Sequence, residues 1–279
     1  MPCLFSAAPM NELSVIGLGA WSQKFASWGE LVDGLCTGRW REGTALEPSR
    51  IAPRERRRAP KSVKMAVEVM TQACEMALVE PQDVATVFSS AMGDMQITDY
   101  MCSSLASPPR EISPTRFHNS VHNAPNGYWS IATGSHAPAS AVSAFLFTAP
   151  VAFLEAAIQA VDSNGPVLLV TQEMAAPLAL RDICPTVADF AAAILLAPPG
   201  YGEANSVSVH FATGGGPVDW PELPEPLKKD FFEHPGARLL PFLAAIASPD
   251  THEAPVRMSF PLSQRSSLSL SLTCRAGVV

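Results

Sequence analysis

Charge is scarce in this chain. Only 16% of its 279 residues are Asp, Glu, Lys or Arg, and 26 acidic residues outnumber 19 basic ones. A net charge of −7 gives no overall basic field, so nucleic acid is not an expected partner. Paired-cysteine spacing is also missing. The six cysteines stand at positions 3, 36, 74, 102, 184 and 274, with no CxxC among them. That spacing excludes a disulfide framework and a zinc ribbon, and it fits reduced, mostly buried thiols in a cytoplasmic protein. HExxH and GxSxG are both absent, which removes the usual signatures of a zinc protease and of a serine-hydrolase elbow. The first nine residues, MPCLFSAAP, lack a charged region and a long apolar run, so a secretory leader is not expected. The longest apolar stretch, residues 137–161, is interrupted by Pro138, Ser140, Ser143, Pro150, Glu155 and Gln159. A membrane span needs about 20 predominantly apolar residues. A strand followed by a buried helix explains the stretch better, and no membrane is expected.

What is present alternates between strand and helix signals. Residues 13–19 read as a first buried strand, followed by a helical or irregular excursion over 21–36 and a basic, proline-bounded loop over 50–60. Val63, Val67, Met70 and Cys74 form a helix stripe within 62–78. Residues 84–90 are a second strand, 98–105 a helix, and 120–132 a helix with Pro125 in its first turns, where a missing amide costs least. Residues 139–144 read as a third strand. The apolar helix after it is expected to start at Thr148 as N-cap, with Ala149 and Pro150 following. Residues 167–171 and 190–197 are continuous apolar runs, as for strands buried on both faces, and 206–211 is a further strand. Beyond Pro217 the chain turns proline-rich and charged, with a helix expected over 237–247 and strands over 256–260 and 268–272. The last of these alternates cleanly, so one face is wet. The pattern predicts an α/β layered architecture with a parallel core. One α/β domain is expected over residues 1–214, with an extension over 215–279 packed on it.

Few residues suggest chemistry by themselves. His118 and His122 stand four apart, but no third metal ligand accompanies them. They read instead, with Asn119 and Asn123, as groups that satisfy buried backbone. Ser135 and His136 are adjacent on a turn, which is poor geometry for a Ser–His pair, and a Cys–His pair through Cys102 or Cys184 has no supporting motif. Arg54, Arg56, Arg57 and Arg58 read either as a solvated loop or as a contact for an acidic partner. No metal and no cofactor is expected.

Residues 134–157, GSHAPASAVSAFLFTAPVAFLEAA, resemble the turn, strand and buried helix that carry the nucleophilic cysteine of β-ketoacyl synthases. The turn is Ala137-Pro138 and the strand is 139–144. The cysteine position falls on Leu146, to within one residue, and leucine forms no thioester. Two further stretches resemble the short family described as β-ketoacyl synthase, N-terminal domain, found in aryl polyene pigment clusters. One is FHNSVHNAPNGYWSIATG over 117–134. The other comprises Arg57-Arg58, the helix opening at Ser62, and the strand ATVFSS over 85–90. DFAAAILL over 189–196 resembles the strand before the linker of full ketosynthases.

The resemblance spans roughly residues 13–211. It implies half of a thiolase-like fold: a mixed, mostly parallel sheet with flanking helices. A complete condensing enzyme has a second half that supplies two histidines and a lysine, and this chain ends before such a half. The implied function is a non-catalytic subunit resembling a chain-length factor. It would pair with a complete β-ketoacyl synthase as a heterodimer, meet acyl carrier protein through that complex, and act in type II polyketide or fatty-acid (aryl polyene) synthesis. Ser140, Val142 and Ala144 would then lie in a strand that pairs across a two-fold axis. Phe145, Leu146 and Phe147 would border the partner's acyl tunnel, or simply fill core. His118 and His122 would lie near the interface, and Arg54, Arg56, Arg57 and Arg58 would meet the carrier or partner. Two alternatives stay open: an acyltransferase or hydrolase with an unidentified nucleophile, and a homodimeric scaffold.

Overall fold

The computed structural model describes residues 11–273 apart from 42, 44, 185, 202–206, 215–222, 224, 226 and 249–254. The leader reading, Cys3, Cys274 and the 215–217 boundary lie outside these residues. Strands are β1 (Asn11–Ser22), β2 (Ala85–Ser89), β3 (Ala139–Val142), β4 (Val167–Glu173), β5 (Phe190–Ala197), β6 (Val207–Gly214), β7 (Val256–Pro261) and β8 (Ser267–Thr273). Helices are α1 (Trp28–Thr37), α2 (Pro53–Arg56), α3 (Lys61–Ala77), α4 (Met95–Ala106), α5 (Pro114–His118), α6 (Ala124–Thr133), α7 (Thr148–Ser163), α8 (Leu227–Phe231) and α9 (Leu240–Ala247). The strands form a single sheet in the order β3-β2-β4-β5-β1-β6-β8-β7.

The α/β class and the mixed sheet with flanking helices match expectation. The parallel share is smaller than expected. Only β3-β2 and β2-β4 run parallel, and β5 is antiparallel to both its neighbours, β4 and β1. A continuous apolar run reports burial on both faces and is silent on strand direction, so β4 and β5 looked alike in sequence. Their alternate residues divide the core. Leu168, Val170, Ala191, Ala193 and Leu195 face α3 and Trp129 of α6. Val167, Leu169, Phe190, Ala192, Ile194 and Leu196 face the side covered by α7, α8 and α9. The result is three layers, with helices on both sides of the sheet. The C-terminal strands extend that sheet: β6 pairs with β1, and β8 pairs with β6 and β7. In β8, Leu268, Leu270 and Leu272 are buried while Ser269 is exposed, as the alternation anticipated.

Several boundaries differ from the sequence reading. β1 runs on to Ser22 because it pairs with β5 as far as Phe190. The expected excursion therefore begins later, with α1 at Trp28. The basic loop over 50–60 contains one helical turn, α2, started by Pro53. α6 begins at Ala124, with Pro125 in its first turn, and Pro241 likewise sits in the first turn of α9. The 19-residue stretch Phe145–Ser163 has the length and apolarity of a membrane span. Ala149, Ala152, Phe153, Ala156, Ala157 and Ala160 nevertheless face the core, so its apolarity serves packing.

α3 lies directly on β1, and two glycines make that possible. A Cβ at Gly17 would stand 2.1 Å from the carbonyl oxygen of Ala73, and one at Gly19 would stand 2.1 Å from that of Val69. Backbone on both sides leaves no flexible atom to yield. Gly19→Ala is therefore expected to cost roughly 3 kcal/mol as overpacking, read as a lower urea midpoint with unchanged slope. Gly127→Ala in α6, with nothing within 4 Å of its Cβ position, is the contrast and should hold or raise the midpoint, because alanine is the better helix former.

Candidate functional site

β3 is an edge strand, and its residues alternate between half-buried and exposed. Thr86 N–H donates to Pro138 O at 2.9 Å, and Ser90 N–H donates to Val142 O at 3.3 Å. The even-numbered residues of β3 thus face β2. By strand alternation, the amides and carbonyls of Ala139 and Ala141 face the open edge. Ser140 is anchored from inside: its carbonyl accepts from Asn126 Nδ2 at 2.8 Å, and its hydroxyl accepts from Gln159 Nε2 at 3.3 Å.

The strand ends sooner than expected because the backbone turns sharply into α7. Ala144 has φ −146° and ψ 34°, and Phe145 has φ +50°. A bulky residue in the left-handed region is a genuine outlier, held only where its surroundings impose it. Leu146 is the next residue, in the single 3-10 turn Phe145–Phe147 that leads into the helix. Thr148 was expected to cap α7 and does not. It lies inside the helix, its hydroxyl accepting from Ala144 N–H at 2.9 Å and donating to Phe145 O at 2.7 Å. Its job is to tie the elbow, a role hidden behind an ordinary N-cap pattern. Ser143 Oγ donates to Ala91 O at 3.0 Å. Both hydroxyls flanking the elbow are therefore committed to backbone carbonyls. The elbow residues themselves are Phe, Leu and Phe, of which Phe145 is 47% exposed.

The loop after β2 underlies the elbow. His122 Nε2 bonds Ser90 O at 2.7 Å, and its ring meets Phe88 edge-on, with centroids 5.5 Å apart. Of the four residues expected to satisfy buried backbone here, His122 alone does so by its side chain. His118 is exposed at the end of α5, so the two histidines do not share a helix face. Asn119 is buried with its Oδ1 unpartnered. Beneath the loop, Glu173 at the end of β4 accepts from Ala91 N–H. It is wholly enclosed, and its other carboxyl oxygen has no partner. Burial pushes its pKa up to about 8, against the opposing pull of donors in the 90–92 loop. At neutral pH it is held as the uncharged acid. Sequence reading missed Glu173, which lies two residues past the strand expected over 167–171.

The arginines stand apart from the elbow. Arg54, Arg57 and Arg58 are exposed on or just after α2, while Arg56 Nε donates to Ile51 O at 3.2 Å. Arg58 and His118 line one cavity between α2 and the α5–α6 corner. Among the described residues, no cluster of three metal-ligating groups occurs. Cys74 and Cys184 are buried, but Cys36 and Cys102 are exposed, so "mostly buried" holds for half of the described thiols. Burial raises the Cys74 thiol to about 11, which makes it inert.

Known structures with this architecture are numerous. A chain of the ketosynthase ApeO in complex with its chain length factor ApeC, from Xenorhabdus doucetiae, superposes with TM-score 0.68 at 19% identity, over 93% of this chain and 98% of that one. A chain of the complex AntDE:AntF, a type II polyketide acyl-carrier protein with its ketosynthase bound to a hexaketide, gives 0.74 at 12% identity over 95% and 100%. The ishigamide ketosynthase/chain length factor gives 0.70 at 12% identity over 94% and 99%. At these identities the likeness is one of fold. No curated protein sequence matches significantly. A family model, however, described as β-ketoacyl synthase, N-terminal domain, matches residues 35–216. That is more than half of the chain, and it takes in the α3 helix, the open β3 edge and the elbow. The protein therefore belongs to the β-ketoacyl synthase N-terminal domain family.

Proposed function

We propose that this chain is a non-catalytic subunit that pairs with a complete β-ketoacyl synthase and shapes its acyl tunnel, in the manner of a chain-length factor. The pathway we favour is type II polyketide or fatty-acid synthesis, and within it aryl polyene synthesis in the cytoplasm. The elbow carries this reading. A condensing enzyme needs a thiol at this turn, with its pKa lowered by the helix N-terminus and histidine neighbours. Here the turn bears Phe145, Leu146 and Phe147, and the hydroxyls of Ser143 and Thr148 are spent on backbone. These commitments count equally against a hidden serine or threonine nucleophile.

The open edge of β3 supports the partnership. An unpaired edge invites strand addition, and small residues at Ser140, Val142 and Ala144 let a second backbone approach. Exposed apolar side chains stand at Ile158 and Val161 on α7, which packs against β3, and at Phe145 just beyond the strand. In this reading His122, bonded to Ser90 O, and His118 lie near the interface. The similarity to chains of ketosynthase/chain length factor complexes points to a ketosynthase as the partner. Phe145, Leu146 and Phe147 then border the partner's tunnel. Arg54, Arg56, Arg57 and Arg58 offer a local basic patch to the acidic carrier, which the acidic chain as a whole would repel.

Co-expression with a complete ketosynthase of a type II system, followed by size exclusion with light scattering, tests the pairing. A one-to-one complex is expected. Incubation with acyl carrier thioester should acylate only the ketosynthase, read by intact mass. Acyl mass on this chain, or a homodimer that ignores the ketosynthase, would sink the proposal.

A further inference from the structure

The backbone of Ala91 is held from both sides. Its N–H donates to the buried carboxyl of Glu173, and its carbonyl accepts from Ser143 Oγ at the elbow, 3.0 Å away. One loop residue thus joins the carboxyl at the end of β4 to the turn between β3 and α7. Ser90 ties the start of the loop: its carbonyl meets His122 Nε2, and its hydroxyl accepts from Gly93 N–H at 2.9 Å. Gly93 has φ +66°, a conformation that glycine adopts without strain, and it gives the loop a pivot.

Glu173 is wholly buried, and one of its carboxyl oxygens has no partner. An ionised carboxyl there would be a buried charge only partly supplied with donors, which is costly. To ionise, the group must reach water, and its two covers differ. Pro235, Gly236 and Ala237 are buried, and Gly236 O accepts from Thr171 Oγ1 at 3.1 Å. Ala91, Met92 and Gly93 are half-buried. The loop is the thinner wall and the one that yields. The charged and titratable groups on the surrounding elements are Asp94, His122, Asp189, Lys61, His234 and Arg238. Asp94 accepts from Ser62 Oγ and caps α4, Asp189 pairs with Lys61, and His234 bonds Ala188 O. Of these groups, His122 is the one that touches the 90–92 loop.

We infer that the 90–92 loop is a proton-controlled latch on the elbow: it stays closed while Glu173 carries its proton, and loss of that proton to solvent opens the loop and slackens the Ser143 end of the elbow. The pH dependence follows from linkage. Opening releases a proton that the closed site retains, so the open fraction grows with pH between the carboxyl's ordinary value of 4.5 and its buried value of about 8. The latch is a property of this chain alone and stands apart from the proposed partnership.

Hydrogen exchange of the full chain, read by mass over residues 88–93 and 143–148 and corrected for the intrinsic rate, tests this. Between pH 6.5 and 8 both segments should exchange about tenfold faster. The opening should be insensitive to dilute urea, because a local opening exposes little surface. Glu173→Gln keeps an acceptor for Ala91 N–H and should remove the pH response from both segments. Ser143→Ala should keep the response at 88–93 and lose it at 143–148. A response that persists in Glu173→Gln would assign the titration to His122 and overturn the latch. A response at 143–148 that survives Ser143→Ala would overturn its link to the elbow. Exchange that ignores pH in the parent chain also overturns the inference. So does a response with the full urea slope of global unfolding, since the proton would then leave only when the whole chain unfolds.

Discussion

Ala141→Pro is expected to abolish the stable complex with the ketosynthase while leaving the isolated fold intact. The amide of Ala141 faces the open edge of β3, because Pro138 and Val142 turn their carbonyls to β2. Proline removes that N–H and sets a ring against any strand laid alongside. Inside the chain it removes no hydrogen bond, and an edge strand is where proline is tolerated. Loss of central strand pairing and the apolar contacts it aligns should weaken association by about 100-fold or more, close to 3 kcal/mol. Light scattering of the co-expressed pair reads the loss, and circular dichroism with the thermal midpoint reads the fold. Ser140→Pro is the internal contrast. Its amide faces β2, so it should damage the chain itself. A complex of unchanged affinity in Ala141→Pro would mean that the partner docks elsewhere.

How far the sequence prefigured this structure depends on which property each residue reports. Periodicity reports burial, so α3, β4, β5 and β8 were legible almost to the residue. Direction and neighbour are properties of pairs of strands, and no single stretch encodes them. The antiparallel course of β5 therefore stayed hidden behind an apolar run as uniform as that of β4. Trp21 shows the same limit: it reads as the start of an excursion, yet pairing with Ala191 keeps it in β1.

The turn between β3 and α7 was legible, because the strand and helix around it form a linear pattern. Its mechanics were not located. Thr148 fits an N-cap in sequence, and only the left-handed Phe145 explains why its hydroxyl reaches back to Ala144 and Phe145. Asn119 and Arg50 are unremarkable as letters, and the unpartnered Oδ1 of one and Nε of the other exist only in three dimensions. Glu173 belongs with them, since an acid at a strand end usually reaches water, and this one is sealed by the 90–92 loop and by Gly236. A Cβ on that glycine would stand 3.0 Å from the Glu173 side chain.

That enclosure makes Glu173 the source of a distinctive pH profile. Its folded pKa of about 8 lies above the ordinary value of 4.5, so between those values folding takes up a proton and stability falls as pH rises. His234 works the other way. Burial lowers its pKa to about 4 from 6.5, so the folded state refuses a proton that the unfolded chain accepts, and stability falls as pH drops through that range. Between about pH 4.5 and 6.5 the two slopes cancel. From pH 6.5 to 8 Glu173 acts alone, and the parent chain should lose roughly 2 kcal/mol. Glu173→Gln removes the titration and keeps an oxygen for the Ala91 amide. The variant should be flat from pH 6.5 to 8 and rise through the range in which the parent is flat. Urea melts at half-unit pH steps distinguish the two profiles. A parent chain whose stability holds through pH 8 would mean that Glu173 is ionised in the fold. Its unpartnered oxygen would then have to be met by a donor that the isolated chain does not supply.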